Sequence, residues 1–312
     1  MRTPIRKNLL SGSEIALLLM LLPGLIWLFL LKYLPMGGVI LAFKEFHFTR
    51  GGFFTSLINS PWVGWTNFKF LFASENAWII TRNTILYNLV FIVLGTVMSL
   101  VIAIALSLIL SKTLAKVYQT CLFLPYFLTW VVVGYLLLSF LSFDKGTVNS
   151  ILHLFNIKPV QWYDRASAWP YILTYVNLWK NVGYSAVIYL AAIVGIDRQY
   201  YEAAEIDGAN KWQQVINITL PHLKPLIIVM TLLALGRIFS ADFGLFYQAT
   251  LNSGALYPTT DVIDTYVFRG LMYTGDIGMS TAAGLYQSIV GFILIITVNK
   301  MVKKMDKDSA MF

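Results

Sequence analysis

The stretch YEAAEIDGANKWQQVINITLP, Tyr201 to Pro221, decides how this chain is built. It holds Glu202, Glu205 and Asp207, with Asp197 just upstream, in a chain of 312 residues with only 15 acids. Apolar runs flank it on both sides, each about long enough to cross a bilayer. A polar unit in that position is expected to stand out of a membrane. Asp197 suits the cap of a helix beginning at Arg198. Gly208 suits its stop, because glycine accepts left-handed geometry. Asn210 can cap a second short helix, and Pro221 is expected to limit its continuation.

Composition agrees with a membrane setting. Hydrophobic residues make up 58% of the chain and charged residues 12%, about half the share usual in soluble domains. The mean hydropathy is +0.69. The net charge of +8 does not indicate nucleic acid, because Lys and Arg sit at the ends of apolar runs and form no continuous basic face. A single cysteine, Cys121, excludes an internal disulfide framework and reads as a small apolar residue. His47, His153 and His222 lack metal-ligand spacing.

The expected fold is an all-α integral membrane protein with six transmembrane helices. The spans fall at about 15–34, 83–110, 118–140, 169–196, 225–243 and 280–298. They form one membrane domain, 15–302, with the polar loop at 197–221, an N-terminal segment at 1–14 and a tail at 303–312. The first run is too long for a typical leader and has no small-residue cleavage site, so it reads as a retained span. Trp62, Trp65 and Trp78 suit the membrane interface. Gly95, Ser99, Ala103 and Ser107 recur every four residues, as do Ser280, Gly284 and Ser288, which lets another helix approach closely.

Six spans put both termini on one side. With the N-terminus inside, the short inner segments carry Arg2, Arg6, Lys7, Lys112, Lys116, Arg198, Lys211, Lys224, Lys300, Lys303, Lys304 and Lys307. That excess predicts N-in and C-in, with the polar loop facing the cytoplasm.

An inert solvated loop would also satisfy these signals, but the spacing is more specific. Glu202-Ala203-Ala204, three residues, Gly208, nine residues, Ile218, one residue, Leu220-Pro221 resembles the EAA loop of ABC importer permeases at every defined position. Asp207-Gly208-Ala209 has the form usual in carbohydrate, MalF-like permeases. The segment from Trp62 to Phe68 resembles the Gly-x-x-Asn-Phe segment of the same group. Leu22-Pro23-Gly24, Tyr33-Leu34-Pro35-Met36 and Ala42-Phe43-Lys44 are similar to the LplB-type branch, associated with complex oligosaccharides and polysaccharides.

The resemblance implies a bacterial cytoplasmic-membrane permease. Its loop would dock on an ATP-binding subunit through Glu202, Ala203, Ala204, Glu205, Asp207, Gly208, Leu220 and Pro221. It also implies a second homologous permease, two ATP-binding subunits carrying ATP and Mg, and an extracytoplasmic sugar-binding protein.

The chain has no Gly-x-x-x-x-Gly-Lys-Ser/Thr run; Ser111-Lys112-Thr113 lacks the glycines that cradle phosphates. An ATPase would therefore be a separate subunit, and this chain would bind no cofactor and catalyse no bond chemistry. No Asp or Glu falls deep in an expected span, which disfavours an ion-coupled carrier. A permease for a non-sugar solute stays open.

Two cations do fall in expected spans, Lys180 and Arg237. Asn177, Lys180 and Tyr184 share one helical stripe bordered by Asn181. Arg237 and Ser240 share a face, Asp242 lies near that span's outer end, and Gln287 is the polar residue of the last span. Trp130, Trp179 and Tyr184 could stack on sugar rings. These residues are either a polar translocation path or inter-helix bonds and core packing. With no carboxylate deep in the spans, Lys180 and Arg237 could meet an acidic sugar or a carboxylate of a second permease.

Overall fold

In the computed structural model the described residues are 12–69 and 75–305. Arg2, Arg6, Lys7 and most of the expected 303–312 tail lie outside them. Among the described residues there is no strand, and the one isolated β-bridge joins Lys44 and Trp62.

The first element among the described residues is α1, Gly12–Leu28. It continues through a π turn and a 3-10 segment, so that Ala16–Phe43 is one apolar candidate span. A short helix α2, Gly52–Asn59, precedes the long α3, Glu75–Ser107. Then come α4, Lys112–Phe123, and α5, Trp130–Leu141. After a small helix α6, Thr147–Leu154, α7 runs over Trp169–Val194. The polar stretch forms α8, Arg198–Ile206, and leads into α9, Lys211–Leu235. Two short helices, α10, Phe243–Gln248, and α11, Ile263–Arg269, precede the last long helix α12, Ile277–Met305.

Four of these helices are long and apolar enough to cross a membrane, and two bent pairs could bring the number to six. Large apolar side chains are exposed along α1, α3 and α12. Such surfaces are stable in hydrocarbon and costly in water.

α3 and α7 form the spine. Ser99 and Ala103 are fully buried, and the Ser99 hydroxyl donates to the Val182 carbonyl at 3.3 Å. Ala103 packs with Ala186, Tyr189, Ile193 and Leu223. A larger cluster at the opposite end joins Tyr87, Trp169, Leu173 and Val176 to Leu245, Phe246 and Leu256. The second small-residue stripe is split: Ser280 is buried closely against Gly270, whereas a Cβ at Gly284 would meet nothing within 4 Å.

Three expectations need correction. The segment expected as one span over 118–140 is broken, and the two helices meet at 97°. Leu124–Phe127 is a 3-10 turn containing Pro125, and Leu128 and Thr129 are extended. Proline supplies no N–H, and the chain turns there. The Thr129 side chain then accepts from the Val132 N–H and caps α5.

The second correction concerns Pro221. It does not end a separate short helix. Val215–Thr219 is a π turn, through which the helix continues past Pro221 and Pro225 to Leu235. The wider turn absorbs the donor that proline lacks. Third, the segment expected to span 225–243 leaves the helix at Gly236, so Arg237, Ser240 and Asp242 stand in a non-helical connection. The long polar loop beyond it contains α10 and α11.

Candidate functional site

Two regions carry the chemistry, one beyond the C-terminal end of α7 and one at its middle. The first is the hairpin at 197–221. The Asp197 side chain accepts from the Gln199 N–H at 3.0 Å and caps α8. Gly208 takes φ +81°. Its N–H donates to the Glu205 carbonyl and the Ala209 N–H to the Ala204 carbonyl, the paired bonds of a left-handed helix stop. Asn210 and Gln213 then exchange side-chain and backbone bonds in a capping box. Tyr201 and Thr219 hydroxyls meet at 2.9 Å and tie the two arms together.

Lys211 forms an ion pair with Glu205, and Gln214 donates to the same carboxylate at 3.4 Å. Hydrogen bonds from Lys211 and Gln214 hold Glu205 below the ordinary carboxylate range. Glu202 is exposed and makes no hydrogen bond or ion pair among the described residues. Ala203, Asp207, Gly208 and Pro221 are also exposed, while Ala204 and Leu220 are half-buried. Ile206 is 87% exposed and Trp212 70%. The hairpin is thus internally braced, yet it presents a carboxylate and two large apolar side chains without partners.

The second region surrounds the break between α4 and α5. In a continuous helix the Tyr126 carbonyl would bond the Trp130 N–H. The break frees it, and the Lys180 ammonium donates to it at 2.7 Å. Lys180 is only 7% exposed. Its nitrogen also lies 5.4 Å from the Tyr126 ring centre and 5.2 Å from that of Trp130, where the ring faces attract a cation. On the other side, the Trp130 indole N–H donates to Asp242 Oδ2 at 2.8 Å. Asp242, expected near the outer end of the span 225–243, thus stands beside the Lys180 group through Trp130. It comes from the non-helical connection between Leu235 and Phe243.

Rings gather beside this cation. Tyr126 and Tyr184 stack at 4.6 Å with 12° between planes, and Phe123 stacks on both. Tyr126, Phe127 and Tyr184 are partly exposed beside the cation. Phe123 and Tyr126 were not singled out from the sequence; Pro125 between them was the available signal. Trp179 is exposed and takes no part in these ring contacts.

The polar stripe of α7 divides. Lys180 and Tyr184 face the broken helix. Asn177 and Asn181 instead line a cleft of about 190 Å³ with Thr96, Ser99 and Ser185 between α3, α7 and α9. Arg237, Ser240 and Gln287 line a second, open cleft of about 480 Å³ together with Asp264.

That third group depends on how non-helical backbone is satisfied. Irregular backbone at membrane depth needs internal partners. Asn88 donates to the Ile238 carbonyl at 2.9 Å, and Gln287 to the Phe239 carbonyl at 2.8 Å. The Ala241 N–H donates to Asp264 at 2.8 Å. Gln287 is therefore committed to holding this connection, while Arg237 and Ser240 remain exposed on the cleft.

Long apolar helices, broken where polar side chains converge, define a multi-pass membrane protein with an internal polar lining. The chain belongs to the family of binding-protein-dependent transport system inner membrane components, which residues 93–307 match. It is similar to the polygalacturonan/rhamnogalacturonan transport system permease protein YteP of Bacillus subtilis (strain 168), 30% identical over 94% of this chain and 89% of that one. Protein LplB of the same organism is 31% identical over 94% and 90%. Among solved structures, a bacterial ABC transporter involved in the import of the acidic polysaccharide alginate superposes with a TM-score of 0.85. It is 31% identical, over 94% of this chain and 97% of that one. A bacterial alginate ABC transporter in complex with an alginate pentasaccharide-bound periplasmic protein gives 0.84, at 31% identity over 95% of this chain and 96% of that one.

Proposed function

We propose that this chain is one permease half of an ATP-driven, binding-protein-dependent importer that carries an oligosaccharide or polysaccharide fragment into a bacterial cell. The observation that carries the ATP-driven part is the braced hairpin with unpartnered Glu202, Ile206 and Trp212. A rigid projection with exposed apolar tips can transmit force to a partner subunit. In this reading the hairpin and both termini are cytoplasmic, and the membrane domain spans about 15–302. A second permease completes the pore, and two further subunits bind ATP and Mg. A binding protein delivers sugar from outside. Sugar import is supported by what the relatives are named for and by the partly exposed Tyr126–Tyr184 stack beside Lys180.

ATP binding would draw the two hairpins together and turn the cavity outward; hydrolysis would reset it. Such a shift needs a contact that differs between states, and the hairpin docking site supplies one. This chain moves solute and makes or breaks no covalent bond.

The test is ATP hydrolysis and sugar uptake by the assembled transporter in lipid, with its binding protein. Glu202→Ala is the clean variant, because Glu202 braces nothing within the hairpin. Sugar-loaded binding protein is expected to stimulate hydrolysis in the native complex and much less in the variant, at equal assembly. Unchanged hydrolysis and uptake would reduce the hairpin to a loop. Uptake that persists without ATP and stops when the proton gradient collapses would make the protein an ion-coupled carrier.

A further inference from the structure

The short helix α2, Gly52–Asn59, is inside out. Its buried side chain is a serine, Ser56, with 0% exposure, and Ser60 just beyond is 6% exposed. Its exposed side chains are Phe54 at 77% and Ile58 at 75%, four residues apart and so on one ridge. Phe53 borders that ridge, edge-on to Phe54 and packed on the buried Phe46.

The polar interior is fully bonded. Ser56 Oγ donates to the Gly52 carbonyl and accepts from the Thr49 N–H, both at 2.8 Å. Ser60 Oγ donates to the Ser56 carbonyl at 2.7 Å. The Lys44 ammonium closes the last turn by donating to the Leu57 and Ile58 carbonyls. The helix is therefore held with its apolar ridge outward; it has not merely turned that way at its surface.

We propose that α2 and its flanking residues form an amphipathic anchor lying in the lipid interface, on the side where the first span ends. The placement comes from the chain itself. The candidate span Ala16–Phe43 ends one residue before Lys44. The Asn67 amide donates to the Ala42 and Lys44 carbonyls at 3.0 and 2.9 Å. Ala42 and Phe68 pack on Ala282 near the start of α12. The segment is thus pinned level with the ends of two candidate spans, continuous with the lipid-facing surface of the first.

Composition favours lipid over a visiting protein. Trp62 and Trp65 flank the helix and are 67% and 71% exposed, as suits residues that sit at headgroup depth. Between residues 44 and 69 the only acid is Glu45, whose carboxylate lies 3.4 Å from His47 Nε2. Arg50 is exposed and complements anionic headgroups. A soluble protein that docks and leaves would return this ridge to water, at about 25 cal/mol for each Å² of apolar surface. The inference rests on the chain being a membrane protein, independently of what it transports.

The test uses the assembled transporter in liposomes containing anionic phospholipid. Cys121→Ser removes the native thiol, and nitroxide labels are placed at Phe54→Cys, Ile58→Cys and, on the polar edge, Asn59→Cys. All three positions are exposed, so labelling spares the packing. Collision with oxygen, which concentrates in bilayers, is compared with collision with a water-soluble nickel chelate. At Phe54→Cys and Ile58→Cys oxygen is expected to exceed nickel several-fold, with the ratio reversed at Asn59→Cys. Nickel access at the ridge would place it in water. Protection from both, with an immobilised spectrum, would place it against the second permease or the binding protein. Either result overturns the anchor, and neither bears on ATP-driven uptake.

Discussion

Lys180 is the residue whose surroundings constrain the site most. A buried ammonium is costly unless it is bonded, and here it is bonded to a carbonyl released by a broken helix and faced by two rings. Asp242 stands across the Trp130 indole. The ammonium is thus already engaged within the chain. Lys180→Met is therefore expected to lower uptake of neutral and acidic oligosaccharides by the same factor. Selective loss of the acidic sugar, measured side by side in liposomes, would assign Lys180 to the substrate. Gly183, one turn on, is equally constrained. A Cβ there would lie 1.9 Å from the Leu122 carbonyl oxygen, so Gly183→Ala must push two backbones apart, at about 1–3 kcal/mol. Thermal unfolding of the complex should show a clear fall in Tm. Gly284→Ala, with open space around it, should show none.

At the scale of elements, the hairpin and the broken helix differ in what holds them. The hairpin is stabilised by contacts within a few residues. Asn210→Ala removes its capping box and should cost about 1 kcal/mol. Amide exchange over residues 211–214 would then quicken roughly fivefold. Glu205 adds a pH dependence. Its carboxylate is held below 4.5 by Lys211 and Gln214, so its stabilising contribution is present above that value and lost as pH falls through the lower folded one. Exchange in the hairpin, corrected for intrinsic rate, should rise on acidification in the native chain and lose that component in Glu205→Gln. The broken helix is held from far away in the chain, by Lys180 from α7 and Asp242 from beyond α9. This is why its bend was not legible: a run of apolar residues over 118–140 reads as one span unless the proline is weighed.

At the scale of the whole molecule, the surface of α3 is apolar where a soluble protein would be charged. Val97 is 52% exposed near the middle of that helix. Val97→Lys places an ammonium at membrane depth and should cost about 2.5–3.5 kcal/mol of insertion. The membrane-integrated fraction resistant to alkaline extraction is expected to fall. Leu110→Lys, fully exposed beyond the helix end, should leave it unchanged. The same outward apolar surface explains why polar side chains gather inside, in two clefts and around Lys180.

The sequence by itself determined the membrane character and the polar hairpin with both its caps. Composition is additive, and caps, left-handed stops and capping boxes act within three or four positions of the chain. It also indicated which polar residues fall within apolar runs. Only the tertiary structure decided how they group. Lys180 meets Tyr126 across 54 positions, Trp130 meets Asp242 across 112, and Asn88 holds Ile238 across 150. It likewise decided that helix α9 stops at Leu235, because Asn88, Asp264 and Gln287 satisfy the backbone beyond it, and that α2 turns its serines inward. Buried polar groups must find partners wherever the fold brings them, and chain distance carries no information about which partner that is.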